Sequence, residues 1–411
     1  MQKFEKRSPV VVTEVTTKHE LRQFMQYPNR LYADNPNYIP SFYGDDLSDW
    51  TPGKNPAFDY CEARCWLAWR DGEIVGRIGA ILSHKANDKF GTHRMRFSQV
   101  DFVDDSEVSA ALFGTVERWA RQKGCDQVHG PLGFTDMDRE GMLVEGFDRR
   151  SLFITNYNAP YYPEHLTRLG YRKDVDWIEY RISVPAPGSA EAERLHKLSE
   201  FILKRKHLHV ATLHHKSEYG PFVRQVFELV NAAYAPLYGV VELSDEQIER
   251  YANKFIPLVD PDFVCFVLDE QDKLVAFGVT TLDPSPALKH SDGRLFPFGW
   301  AEVLNDLHHG DTLIMLLTAV RPDLQTEGIN AVMMDHVCQS CNRHGVQFAE
   351  TGPMLELNDH ILAQWKRLEK EQHKRRRCFI KDLDHGINAA NAAAAAQAEA
   401  PEAAPAAESA E

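Results

Sequence analysis

The 411-residue chain is long enough for two domains at roughly 100–200 residues each, and its 43% hydrophobic and 26% charged residues suit a globular protein. A formal net charge of −14 argues against broad nonspecific binding to nucleic acid. No uninterrupted run of about 20 apolar residues is present, so no transmembrane helix is expected.

Residues 1–7 lack the apolar stretch of a signal peptide. Seven cysteines without a secretion signal then read as reduced thiols, which points to a cytoplasmic protein. Cys338 and Cys341 have redox or zinc spacing but fall inside a helical pattern without a second matching pair. No metal site is expected.

Along the chain, residues 64–70 and 74–81 are apolar-rich runs split by Asp71-Gly72 and read as a hairpin. A strand follows at 95–102, then a helix at 106–123 closed by Gly124, then a strand ending in Gly130-Pro131. The segment entering that helix carries Asp101, Asp104 and Asp105 and no glycine turn, so it should repel anions; Asp105 or Ser106 serves as an N-cap. Beyond it lie Asp136, Asp138 and Glu140, an acidic loop that either holds a cationic amine or is simply solvated. Pro185-Ala186-Pro187-Gly188-Ser189 is a linker by composition, followed by a charged helix at 190–206. Tyr234 and Tyr238 then sit in an early helical stretch of the second half, where each is either a proton donor or an aromatic packing a helix face.

The second half repeats the first. Runs at 263–268 and 274–280 form a hairpin around Gln271-Asp272, and 313–320 is a strand. Gln325-Thr326-Glu327-Gly328-Ile329-Asn330-Ala331 then opens a helix at 329–343, which closes at Gly345 and leads to a strand and Gly352-Pro353. The spacing from the helix-closing glycine to the Gly-Pro is six residues in one half and seven in the other, as an internal duplication would leave. A strand feeding a glycine turn that opens a helix presents unpaired N–H groups and a positive dipole end, which suit a pyrophosphate. Further on, Lys374-Arg375-Arg376-Arg377 follows an amphipathic stretch (Ile361, Leu362, Trp365, Leu368). It is either a solvated helix end or a patch for a phosphate or an anionic membrane surface. From about residue 386 the composition is Ala, Glu and Pro, which cannot bury a core and implies disorder.

The order strand, Gln325-x-x-Gly328, helix, strand resembles the acetyl-CoA-binding core of the GNAT N-acyltransferase fold, with Asn330 replacing the second small residue of the usual turn. Leu31 to Pro40, Lys54-Asn55-Pro56, Val75-Gly76-Arg77-Ile78-Gly79-Ala80, Gly130-Pro131, Gly141-Met142-Leu143-Val144-Glu145-Gly146-Phe147 and Tyr157-Asn158-Ala159-Pro160-Tyr161-Tyr162 follow the order seen in the YghO-like proteins. These are tandem GNAT proteins that include bacterial ceramide synthases. The resemblance implies an α/β (α+β) fold of two tandem GNAT units, mixed twisted sheets flanked by helices. The units are a degenerate one at 1–184, a linker and helix at 185–206, a CoA-binding one at 207–384, and the tail at 385–411.

It also implies an acyl-CoA-dependent N-acyltransferase, with acetyl-CoA or a long-chain acyl-CoA as co-substrate and a small-molecule or lipid amine as acceptor. Peripheral contact with the inner membrane is compatible with a lipid acceptor. The co-substrate is expected on Ala319, Val320, Gln325, Thr326, Glu327, Gly328, Ile329, Asn330 and Ala331. Asp138, Tyr234 and Asn358 are expected at the acceptor. Glu350 and Glu356 are the candidate bases and Tyr238 the candidate acid, because Trp365 stands seven residues after Asn358, where GNAT proteins often carry a tyrosine. Two other readings stay open: acylation of a small amine or cell-wall precursor, and a catalytically inactive GNAT-fold binding protein.

Overall fold

The structure is a computed structural model, and it describes residues 8–383. The tail expected to be disordered lies outside the described residues. The first half supplies β1 (Val11–Glu14), β2 (Cys61–Arg70), β3 (Glu73–Ser83), β4 (Arg94–Phe102), β5 (Gln127–Gly130), β6 (Met142–Glu145) and β7 (Arg172–Ser183). The second supplies β8 (His209–Val210), β9 (Val264–Leu268), β10 (Leu274–Leu282), β11 (Thr312–Val320), β12 (Phe348–Thr351), β13 (Met354–Leu355) and β14 (Lys370–Asp382).

Local chemistry explains the main elements. Asp71 and Gly72 both have positive φ, which lets β2 turn directly into β3. Asp105 caps the helix Ser106–Gln122 by accepting from the Glu107 amide at 2.9 Å. That helix buries Leu112, Phe113, Val116, Trp119 and Ala120, a stripe at helical spacing, against β3 and β4. Its counterpart Asn330–His344 ends on Gly345, whose left-handed φ of 73° closes the last turn.

The two halves are related strand for strand, yet they share one sheet. The order is β1-β2-β3-β4-β5-β14-β7-β12-β11-β10-β9-β8, with β6 on β14 and β13 on β7. Both β4–β5 and β11–β12 are parallel. Next to β5 the chain places β14, from the other half, with Phe379 opposite Gly130. Next to β12 it places β7, with Ala349 opposite Ile182. The antiparallel pair β7–β14 forms the centre. Each half is thus completed by the other's last long strand, so the boundaries expected near 184 and 206 divide the chain without dividing the sheet.

This corrects the reading of Lys374 to Arg377 as a helix end or a surface patch. They lie in β14, at the middle of the sheet. Alternation sends Lys374 and Arg376 to one face, where both are wholly buried on Glu179 of β7. Burial works against that carboxylate, but Arg376 and Lys374 outweigh it and hold Glu179 below the usual range. Arg375 and Arg377 face the other way and pair with Asp176 at 3.1 and 2.8 Å.

Candidate active site

β11 and β12 pair only from Thr312 to Met315. The Gly352 amide still reaches the Met315 carbonyl at 3.2 Å, but Pro353 has no N–H to continue the ladder. β11 runs on alone to Val320, and a bulge opposite Val279 and Thr280 turns it further. The strands therefore splay, and a cavity opens on each side of the gap. One has a volume of about 260 Å³ and the other about 170 Å³. They share Tyr234, Val279, Leu316, Leu317, Gly352 and Pro353, so they meet at the splay.

The smaller cavity leads toward the glycine turn, past Thr318, Asn330, Met333 and Trp365. At the turn, Thr326 and Gly328 have φ of 71° and 83°. The amides of Gly328, Ile329 and Asn330 make no hydrogen bond among the described residues and open a 15-residue helix. This is the donor set an anionic phosphate needs. Glu327 brings a negative charge to the turn, and Lys206 neutralises it at 2.6 Å. Ala331 is already inside the helix, its amide on the Gly328 carbonyl. Gln325 does not point outward: its Nε2 donates to the Val320 carbonyl at 3.2 Å and braces the turn against β11.

The edge of β11 that faces the gap can be read from its partners. The Thr318 carbonyl accepts from the Tyr234 hydroxyl at 2.7 Å, and the Arg321 amide binds Val275 in β10. Strand alternation then turns Thr318 and Val320 toward the gap and Ala319 toward β10. Ala319 is buried in the core beneath the cavity.

The larger cavity is apolar along most of its length, with Val226, Phe227, Phe255 and Phe266 among its walls. Asp136, Asp138 and Glu140 of the first half also line it. Asp138 fixes the loop. Its carboxylate accepts from the amides of Phe134 and Thr135 at 2.8 and 3.2 Å and from the Tyr251 hydroxyl at 3.1 Å. Burial, reinforced by Asp138, pushes the Asp136 carboxyl up to about 6. Burial, with Asp136 adding to it, pushes Glu140 well above the usual carboxylate range.

Several residues expected at the site lie elsewhere. Ala349 and Thr351 of β12 line the smaller cavity, so the strand's two-residue period turns Glu350 away from it. Its carboxylate is 3.2 Å from Lys374 Nζ. Glu356 is held by Lys173 at 2.6 Å and Arg375 at 3.2 Å, outside both cavities. Asn358 caps the short helix Asp359–Ala363. Tyr238 also lies off the cavities. Its hydroxyl sits among Asp174 (2.5 Å), His129 (3.0 Å) and Cys378 (3.5 Å), and burial raises it far above the phenol range. Burial likewise pulls His129 down to about 4. Ligand atoms of His129, Asp174 and Cys378 lie within 4.8 Å of one another, although the Tyr238 hydroxyl hydrogen-bonds in their midst. Trp365 packs into the smaller cavity's wall, with its Nε1 on Met354 Sδ at 3.2 Å.

The chain is 27% identical over 383 residues to Protein YghO of Escherichia coli (strain K12), covering 91% of this chain and 95% of that one. It is 28% identical over 299 residues to the Bacterial ceramide synthase of Caulobacter vibrioides (strain NA1000 / CB15N), covering 71% of this chain and 75% of that one. Among solved structures, a tandem GNAT protein from the clavulanic acid biosynthesis pathway superposes with a TM-score of 0.52 at 13% identity, over 91% of this chain and 99% of that one. A glucosamine N-acetyltransferase region of a fungal multi-domain β-N-acetylglucosaminidase gives the same TM-score at 11% identity, over 92% of this chain and 38% of that one. No family model matches the chain.

Proposed function

We propose, from its homology to YghO and to a bacterial ceramide synthase and from its tandem GNAT fold, that the chain is an acyl-CoA-dependent N-acyltransferase whose acceptor is a long-chain amine of the sphingoid-base class. The observation that carries this reading is the larger cavity, an apolar chamber of about 260 Å³ with carboxyls at the point where the halves meet. An apolar cavity of about 150 Å³ already holds benzene. A longer alkyl chain has an apolar wall to follow here, and the amine has Asp136 and Glu140.

In this reading the turn amides of Gly328, Ile329 and Asn330 hold the pyrophosphate, and the arm of the CoA runs through the smaller cavity. Its thioester then lies at the splay. The Thr318 amide, on the open edge of β11, faces the carbonyl oxygen and stabilises the charge that develops there. The acceptor nitrogen attacks the carbonyl carbon, an N–C bond forms, and the C–S bond breaks. The proton leaving nitrogen passes to Asp136. With its carboxyl near 6, Asp136 is ionised at neutral pH yet basic enough to accept it. Glu140, whose carboxyl burial raises well above the usual range, lines the same wall. Tyr234 fixes β11 through the Thr318 carbonyl.

Calorimetry with acetyl-CoA and palmitoyl-CoA, followed by mass spectrometry of product from palmitoyl-CoA and sphinganine, tests this. The expected result is tighter binding of the long thioester and N-palmitoyl product, lost in Asp136→Asn. Product from acetyl-CoA and a short amine alone would favour the small-amine reading. Thioester binding with no turnover on any amine would favour the inactive binding protein.

A further inference from the structure

β10 and β11 are joined by 29 residues, 283–311, where the matching strands of the first half, β3 and β4, are joined by ten, 84–93. The longer connection folds as two helices, Ser285–His290 and Gly299–His309, whose inner face is anchored. Leu288, Val303 and Leu307 pack on Phe153 and on Ile314 of β11. Its tip does the opposite. Phe296 is 81% exposed, Phe298 74% and Trp300 48%, and Leu295 and Leu304 are exposed beside them.

The tip is held in shape, so these side chains are presented by a fixed frame. The Gly293 carbonyl accepts from the Tyr43 amide at 3.0 Å, and a Cβ on Gly293 would lie 1.9 Å from the Ser41 carbonyl oxygen. A Cβ on Gly299 would lie 2.0 Å from the Arg294 carbonyl oxygen. Both positions require glycine because backbone meets backbone.

From these observations we infer that the loop around Phe296, Phe298 and Trp300 is a membrane-docking element that inserts into the interfacial layer of a lipid bilayer. Three features favour a bilayer over a second copy of the chain. Side chains exposed to this degree form a convex tip, not a flat face. Their combined area is on the order of 500 Å², from aromatic side chains of roughly 150–250 Å² each. A stable protein interface needs about 800 Å² per partner. Phenylalanine, tryptophan and leucine in the turn and first residues of a short helix are also the residues that enter a headgroup layer.

Charge is not the driver. Lys289 and Arg294 are balanced by Asp292, Glu302 and Asp306, and Glu302 is paired with His290 at 2.8 Å. Binding should therefore depend little on anionic lipid. The element also sits beside the larger cavity: Ile314, which it covers, is two residues from Leu316 in the cavity wall. Docking would bring that chamber close to the lipid surface, but the docking inference stands on the exposed tip and does not require acyl transfer.

The test is co-sedimentation of the full chain with vesicles of phosphatidylcholine and of phosphatidylethanolamine with phosphatidylglycerol. The Phe296→Ser/Phe298→Ser/Trp300→Ser variant is run beside it. The wild type is expected to partition onto both, within about threefold of each other, and the variant at least tenfold less. Melting temperature and acyl-CoA binding without vesicles should be unchanged in the variant, which separates lost docking from a lost fold or donor site. Equal partitioning of the two proteins, or none by either, overturns the inference. A wild-type dimer in light scattering that the variant lacks, with no vesicle binding, would assign the patch to a second copy instead.

Discussion

Replacing Asp136 by Asn should raise stability and lower activity together. Burial beside Asp138 lifts its carboxyl from 3.8 to about 6 in the folded chain. A carboxyl raised on folding binds its proton more tightly in the native state. It favours folding below the unfolded value, and that contribution is lost as pH rises through the folded value. The native protein thus carries a penalty that grows across this window, about 2 kcal/mol at pH 5 and about 3 kcal/mol at pH 8, which the amide of the variant does not share. Urea unfolding of the two proteins at several pH values between 5 and 8 should show the Asp136→Asn variant gaining on the wild type as pH rises. Over the same range, kcat/KM of the wild type should fall about tenfold from pH 7 to pH 5, beyond the slope the amine itself contributes. The variant should lose that inflection and about a hundredfold or more in rate. A variant no more stable than wild type at pH 8, or an inflection near 6 that persists in it, would refute Asp136 as a buried base.

Three further outcomes are expected. Gly328→Ala places a Cβ at φ 83° and 3.0 Å from Ile202 Cδ1, so it should cost about 1 kcal/mol in urea unfolding and weaken acyl-CoA binding in calorimetry. Glu179→Gln leaves Arg376 buried without its counter-charge and Lys374 with Glu350 alone, and should lose about 3–5 kcal/mol of stability, also read by urea. Val226→Phe narrows the larger cavity and should weaken turnover with sphinganine about tenfold while leaving acetyl-CoA affinity unchanged in calorimetry.

Much of this protein was written in local sequence. The hairpins β2–β3 and β9–β10, the two long helices with their closing glycines, and the strand–turn–helix around Gly328 follow from short-range alternation, capping and backbone freedom. The Asp136–Glu140 loop was legible as an acidic cluster, with an amine-holding and a solvated reading both open, and its place in the cavity wall came from the tertiary structure. Tertiary structure decided the rest. No local signal pairs Phe379 with Gly130, since strand exchange joins residues from opposite ends of the chain. That pairing turned Lys374 and Arg376 from an apparent surface patch into a buried seam. Likewise, Glu350 neighbours the cleft in sequence, but the side it faces depends on which side of β12 is lined by the cavity. Val226, Phe227, Phe255 and Phe266 carry no local signal of a cavity. They form a chamber only because β11 and β12 separate after Met315 and leave their apolar faces without a partner strand.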